Sequence, residues 1–172
     1  MSAEQTVEQA AKDDELPPVL GGFDLTDLDR FQAGFPHDVF TRLRHEVVIE
    51  GSADGMTWLA YEFKGKPGDP GRRPRQWAPY HLRLDWLMWF AALSPGYARP
   101  WFGPLLGRLL EGDRDTLRLL RGNPFADRPP EQVRAMLYRY RFTTRAERRD
   151  TGTWWHRELV GGYHRAISRS NR

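Results

Sequence analysis

The sequence predicts an α+β domain: an antiparallel β-sheet or sandwich with two or three short helices inserted between its strands. Three observations carry this reading. Two β-rich runs flank Asp54-Gly55 within residues 45–63, as in a hairpin. Residues 133–144 alternate with a period of two, placing Met136, Tyr138, Tyr140 and Phe142 on one side and Arg139, Arg141 and Thr143 on the other. Between these strands, residues 83–121 break into short apolar segments punctuated by Pro and Gly.

Each element has a local reason. In the hairpin, Leu59, Tyr61 and Phe63 alternate with Trp58, Ala60 and Glu62, and Asp54-Gly55 favours a type I′ turn. Residues 64–76, KGKPGDPGRRPRQ, form a basic loop rich in Gly and Pro. Residues 83–93 (RLDWLMWFAAL) are apolar almost all round, yet too short to span a bilayer, so they read as a buried helix ended by Pro95 and Gly96. A second helix follows within 101–113, starting after Gly103 with Pro104 in its first turn. Asp113 is placed to N-cap a third, with Leu117, Leu119 and Leu120 as its apolar face and Gly122 as a left-handed terminus. Residues 145–153 read as a charged loop. Further strands are expected near 31–44 and 154–167, and the helices should cover one face of the sheet.

Composition bounds the function. The 172 residues suit one domain with tails, and seven Trp, six Tyr and nine Phe supply a real core. There is no cysteine, which excludes a disulfide scaffold, a thiol nucleophile, a dithiol redox site and a thiolate zinc site. Residues 1–29 hold eight acids and one base, a net of −7, and read as an acidic flexible tail. The remaining residues hold 25 bases and 15 acids, a net of +10. The domain is expected over 30–167, with a frayed end at 168–172. The bases are 23 Arg and three Lys, scattered and without a recognisable nucleic-acid module, so nucleic acid is not expected as a partner. No window is long and apolar enough to span a membrane, and the N-terminus has no secretory signal, so the chain as given reads as soluble.

The catalytic inventory is thin. No phosphate loop, nucleophile elbow or metal-binding His pair is present, and neither a metal nor a cofactor is expected. One constellation is enzyme-like: His81, Arg83 and Asp85 beside Arg72, Arg73 and Arg75. A carboxylate in an apolar helix can serve as a base with a shifted pKa, which would suit a hydrolase-type enzyme using His81 and Asp85. The structural alternative weighs more: Asp85 caps its helix or pairs with Arg83 or Arg75, fixing the loop against the core. The Trp residues also suit sugar stacking, although Trp58, Trp86 and Trp89 read more simply as core.

Residues 46–69 (EVVIEGSADGMTWLAYEFKGKPGD) followed by 72–93 (RRPRQWAPYHLRLDWLMWFAAL) resemble the lipase maturation factor family. Residues 101–111, 123–130, 133–144 and 154–158 continue the resemblance in the family's order, over roughly 40–160. The resemblance implies multi-pass membrane proteins, in the endoplasmic reticulum membrane in eukaryotes, that help secreted lipases fold and assemble as active dimers. It also implies a C-terminal domain that contacts the client, and it carries over no catalytic residues. The membrane-spanning region lies outside this resemblance, so the chain reads as a split product, a truncated member or an excised domain. A membrane-spanning partner region would then make it membrane-associated.

Animal members have His, Pro and Gln where this chain has Tyr80, Leu82 and Leu87, a divergence that fits an Arg-rich bacterial member. The hairpin IEGSADGMTW is similar to galactose-binding-like β-sandwiches, by fold analogy alone. The expected function is non-catalytic client binding. Arg72, Arg73, Arg75 and Trp77 are the candidate contacts, and Asp85, Trp86, Trp89 and Phe90 are the structural motif. The alternatives are a carbohydrate- or membrane-surface-binding module and the hydrolase.

Overall fold

A computed structural model describes residues 45–74, 82–93 and 95–169. The acidic tail over 1–29, the expected strand near 31–44, Arg75, Trp77 and His81 lie outside these residues.

The hairpin forms as its alternation predicts, but not its turn. Strand β1 (His45–Ser52) pairs antiparallel with the two-residue β2 (Leu59–Ala60), with Glu50 opposite Ala60 and Gly51 opposite Leu59. A type I′ turn needs positive φ at both central residues. Here only Gly55 has it, at 76°, and Asp54 does not. Side chains organise a longer connection instead. The Gly55 amide donates to Ser52 Oγ at 2.9 Å, and the Met56 and Thr57 amides donate to Asp54 Oδ1 at 2.8 and 2.7 Å. These amides hold the Asp54 carboxyl below the usual carboxylate range.

Four helices fill the stretch between β2 and the next strand: α1 (Arg83–Leu93), α2 (Pro95–Ala98), α3 (Phe102–Glu111) and α4 (Arg114–Leu119). Helix α3 begins one residue before Gly103, not after it, and ends at Gly112 with φ 71°. Asp113 caps α4 by accepting from the Thr116 amide at 2.9 Å, as expected. Gly122 does not close that helix; Leu120 does, in an extended conformation.

Strand β3 (Gln132–Phe142) follows, then β4 (Trp155–Ser168). The sheet order is β2-β1-β3-β4, antiparallel throughout, with β1 and β3 paired from His45–Arg139 to Ser52–Gln132. Between β3 and β4 the expected charged loop is largely a helix, α5 (Arg145–Thr151). Its reason is local: Thr144 and Glu147 form a reciprocal capping box. Glu147 also binds Arg141 at 2.6 Å, and these contacts lower its carboxyl to about 2.

This is an α+β domain. Among the described residues there is one sheet, so the galactose-binding-like sandwich gains no support from a second one. The helices and one sheet face share the main core, where Val47, Ile49, Val133 and Ala135 meet Met88, Ala91, Leu106 and Leu109, all fully buried. On the opposite face Val48, Tyr140 and Trp155 form a smaller cluster. Strand β1 is therefore buried on both sides, as a central strand should be.

Helix α1 departs from the expectation of a uniformly buried helix. Asp85, Met88 and Ala91 are its buried positions, whereas Trp86 is 42% exposed and Trp89 and Phe90 are half-buried. A helix that is apolar all round carries no stripe to announce which side faces the sheet.

Candidate functional site

The basic loop is the centre of the site, and buried groups hold it in place. Asp85 projects from the first turn of α1 and is 8% exposed. Its Oδ1 accepts from the backbone amides of Gly65 at 2.5 Å and Lys66 at 3.1 Å. Asp85 thus fixes the loop against the core through loop amides; among the described residues it makes no pair with Arg83, and Arg75 lies outside them. Its other oxygen, Oδ2, is buried and accepts no hydrogen bond from the described residues.

Lys66 is buried as well. Its Nζ lies 2.8 Å from Glu46 and donates to the Val47 carbonyl at 3.1 Å, with the Phe63 ring at 5.3 Å. A charge this deep needs both a counter-ion and further acceptors, and it has them. Nothing in the sequence marks it, because a lysine between glycine and proline reads as solvated. The far end of the loop is fastened to β3 and β4. Tyr140 donates from its hydroxyl to the Gly68 carbonyl at 2.9 Å, Trp155 Nε1 donates to the Arg72 carbonyl at 3.1 Å, and the Trp154 and Trp155 amides both donate to the Pro70 carbonyl.

The two described candidate arginines differ sharply. Arg72 turns inward. It donates to the carbonyls of Phe63, at 2.9 Å, and of Lys66, and it pairs with Glu62 at 3.5 Å. Burial pushes its guanidinium below the usual arginine range; Glu62 opposes that and Arg121 adds to it. Arg72 therefore shapes the loop. Arg73 is exposed, with its guanidinium 5.4 Å from the centre of the Trp154 ring.

Beside the loop, Trp86, Trp89 and Phe90 form a mutual aromatic cluster with ring centres 5.2 to 5.3 Å apart. Two hollows flank residues 64–67. One, of about 220 Å³, is lined by Glu46, Lys66, Leu82, Asp85, Trp86 and Trp89. The other, of about 140 Å³, is lined by Lys64, Arg72, Arg73, Pro74, Arg121 and Trp155. Rigid backbone, an exposed arginine and aromatic rings together suit recognition. Among the described residues no group of His, Asp and Glu is arranged to hold a metal. No described helix is long and apolar enough to cross a membrane.

The sequence profile described as the lipase maturation factor C-terminal domain matches residues 32–165. The chain belongs to the lipase maturation factor family. It is 46% identical over 136 residues to lipase maturation factor 1 of Homo sapiens, across 74% of this chain and 24% of that protein. It is 39% identical over 150 residues to lipase maturation factor 2 of Mus musculus, across 82% of this chain and 21% of that protein. To lipase maturation factor 2 of Gallus gallus it is 40% identical over 151 residues. The chain spans less than a quarter of the length of these relatives. No solved structure matches it. The relatives are named for what they mature, not for a reaction they catalyse.

Proposed function

We propose that this chain is a non-catalytic client-binding domain that assists the folding or assembly of secreted lipases or similar proteins. The observation that carries the reading is the family membership across residues 32–165, because the relatives are named as lipase maturation factors. The geometry supports where the client sits. The loop over 64–74 is pinned by Asp85, Lys66, Tyr140 and Trp155, so its outer side is presented without a large ordering cost on binding. That side carries Arg73, and helix α1 alongside carries Trp86. Arginine and tryptophan dominate the binding energy of protein interfaces. Arg75 and Trp77 belong to the same proposed surface by their place in the sequence. Arg72 serves it indirectly, as the residue that sets the loop's shape.

The mechanism is binding, not bond-making: a partly assembled client is held while its own association surface becomes buried. Because the chain covers so little of its relatives' length, a membrane-spanning region supplied elsewhere is a natural partner in this reading. Co-expression with a secreted lipase from the same cell tests it, with capture and lipase specific activity scored together. Capture with raised specific activity supports the proposal. Absence of both, with the domain folded, overturns it for lipases.

A further inference from the structure

We infer that the hollow between the basic loop and Arg121 is a binding site for a single tetrahedral oxyanion of the phosphate type. Five cationic residues, Lys64, Lys66, Arg72, Arg73 and Arg121, line it, and no carboxylate does; Lys66 is paired with Glu46 at 2.8 Å. Among the described residues, Glu62 partly compensates Arg72 at 3.5 Å. Lys64, Arg73 and Arg121 have no ion-pair partner among the described residues. Lys64 gives one donor to the Arg118 carbonyl at 2.6 Å, which leaves an ammonium its other two. Arg73 rests on Trp154, a contact that orients a guanidinium without neutralising it. Arg121 is exposed and held beside the start of the loop by its backbone, its amide donating to the carbonyl of Glu62, two residues before the loop, at 2.7 Å.

Folding has therefore drawn like charges together against the self-repulsion that opposes it. The repulsion is felt inside the cluster, where Arg121 disfavours the charged form of Arg72. An anion between them removes that cost.

Size and donor geometry select the anion. The volume of about 140 Å³ is the room of four or five waters at about 30 Å³ each. That holds one tetrahedral anion with some hydration. Two guanidinium forks and an ammonium offer more donors than the two oxygens of a monocarboxylate accept, whereas phosphate presents oxygens in four directions. Pro67, Pro74 and the buried Trp155 line the remaining wall, and this apolar boundary strengthens the attraction. A free phosphate ion and the phosphomonoester headgroup of a lipid share this chemistry. The inference needs no lipase, so it stands or falls apart from the client reading.

The test is titration of the whole chain with inorganic phosphate, followed by amide NMR shifts at Lys64, Gly65 and Arg121. Arg121→Gln and Lys64→Gln are the variants, since neither side chain supports the core. Arg114→Gln removes the same charge on α4 outside the hollow. The expected result is saturable binding that each hollow variant weakens by about fivefold or more, while Arg114→Gln changes it by less than about twofold. Absence of saturation, an equal loss in Arg114→Gln, or acetate binding as tightly as phosphate would overturn the proposal. Vesicles of phosphatidylcholine with and without phosphatidic acid identify the source. Recruitment that inorganic phosphate reverses assigns the site to a headgroup. Phosphate binding without recruitment assigns it to the free ion.

Discussion

Replacing Asp85 probes the joint between core and loop. Its Oδ1 serves two backbone amides, Gly65 and Lys66, and the residue is buried. Asp85→Ala leaves both donors without that acceptor. A buried donor left unpaired costs about 1–3 kcal/mol, and bonds to a charged acceptor lie at the upper end. The adjoining hollow of about 220 Å³ admits water, which offsets part of the loss. The net cost is therefore about 2–4 kcal/mol. For a domain of this size that lowers Tm by about 8–15 °C. Asp85→Asn keeps an oxygen acceptor and loses only the charge assistance, so its cost is about half as large. Thermal unfolding of parent and both variants gives the magnitudes. Hydrogen exchange at the Gly65 and Lys66 amides gives the location, with protection in Asp85→Ala falling about tenfold or more. A Tm within about 2 °C of the parent, together with unchanged protection of those two amides, would mean that Asp85 does not anchor the loop.

Other perturbations report on separate parts of the fold. Thr144→Ala removes the cap of α5 and should cost about 1 kcal/mol locally, read as lost exchange protection of the Glu147 amide. At Gly112 the backbone has φ 71° and an added Cβ would lie 2.6 Å from Pro129 Cγ. Gly112→Ala therefore combines left-handed strain with a clash against a rigid ring, and unfolding should show a loss of about 2–3 kcal/mol. Burial, reinforced by Arg139, lowers the pKa of His45 below its ordinary 6.5. The unfolded chain then binds the proton more readily, so this group's contribution is complete above pH 6.5 and is lost as pH falls through 6.5 toward the folded value. Denaturant titrations across that window should show stability dropping with acid, and His45→Gln should flatten the drop.

What the sequence disclosed was mostly local. The period-two runs at 45–63 and 133–144 became β1, β2 and β3, and Asp113 caps its helix, because strand alternation and N-caps depend on near neighbours. Helix α5 was equally legible: Thr144 followed three residues later by Glu147 is a capping-box signature, hidden by the density of charge around it. Three features were not legible. Ser52 and Asp54 set the hairpin connection through side-chain bonds that no dipeptide preference encodes. The face that α1 buries is chosen by the sheet beneath it. The role of Lys66 depends on Glu46, twenty residues earlier in the chain and brought near only by tertiary packing. The same holds for the candidate contacts, since Arg72 and Arg73 are adjacent in sequence yet one points into the loop and the other out of it.

In the proposed function the outer side of this loop and the adjoining face of α1 hold a client. The most direct measurement is the binding of a secreted lipase to the parent chain and to the double variant Arg73→Glu, Trp86→Ser, with Tm recorded for both. Loss of affinity by about tenfold or more at a nearly unchanged Tm is the predicted result. Undiminished lipase binding by the folded double variant would contradict it.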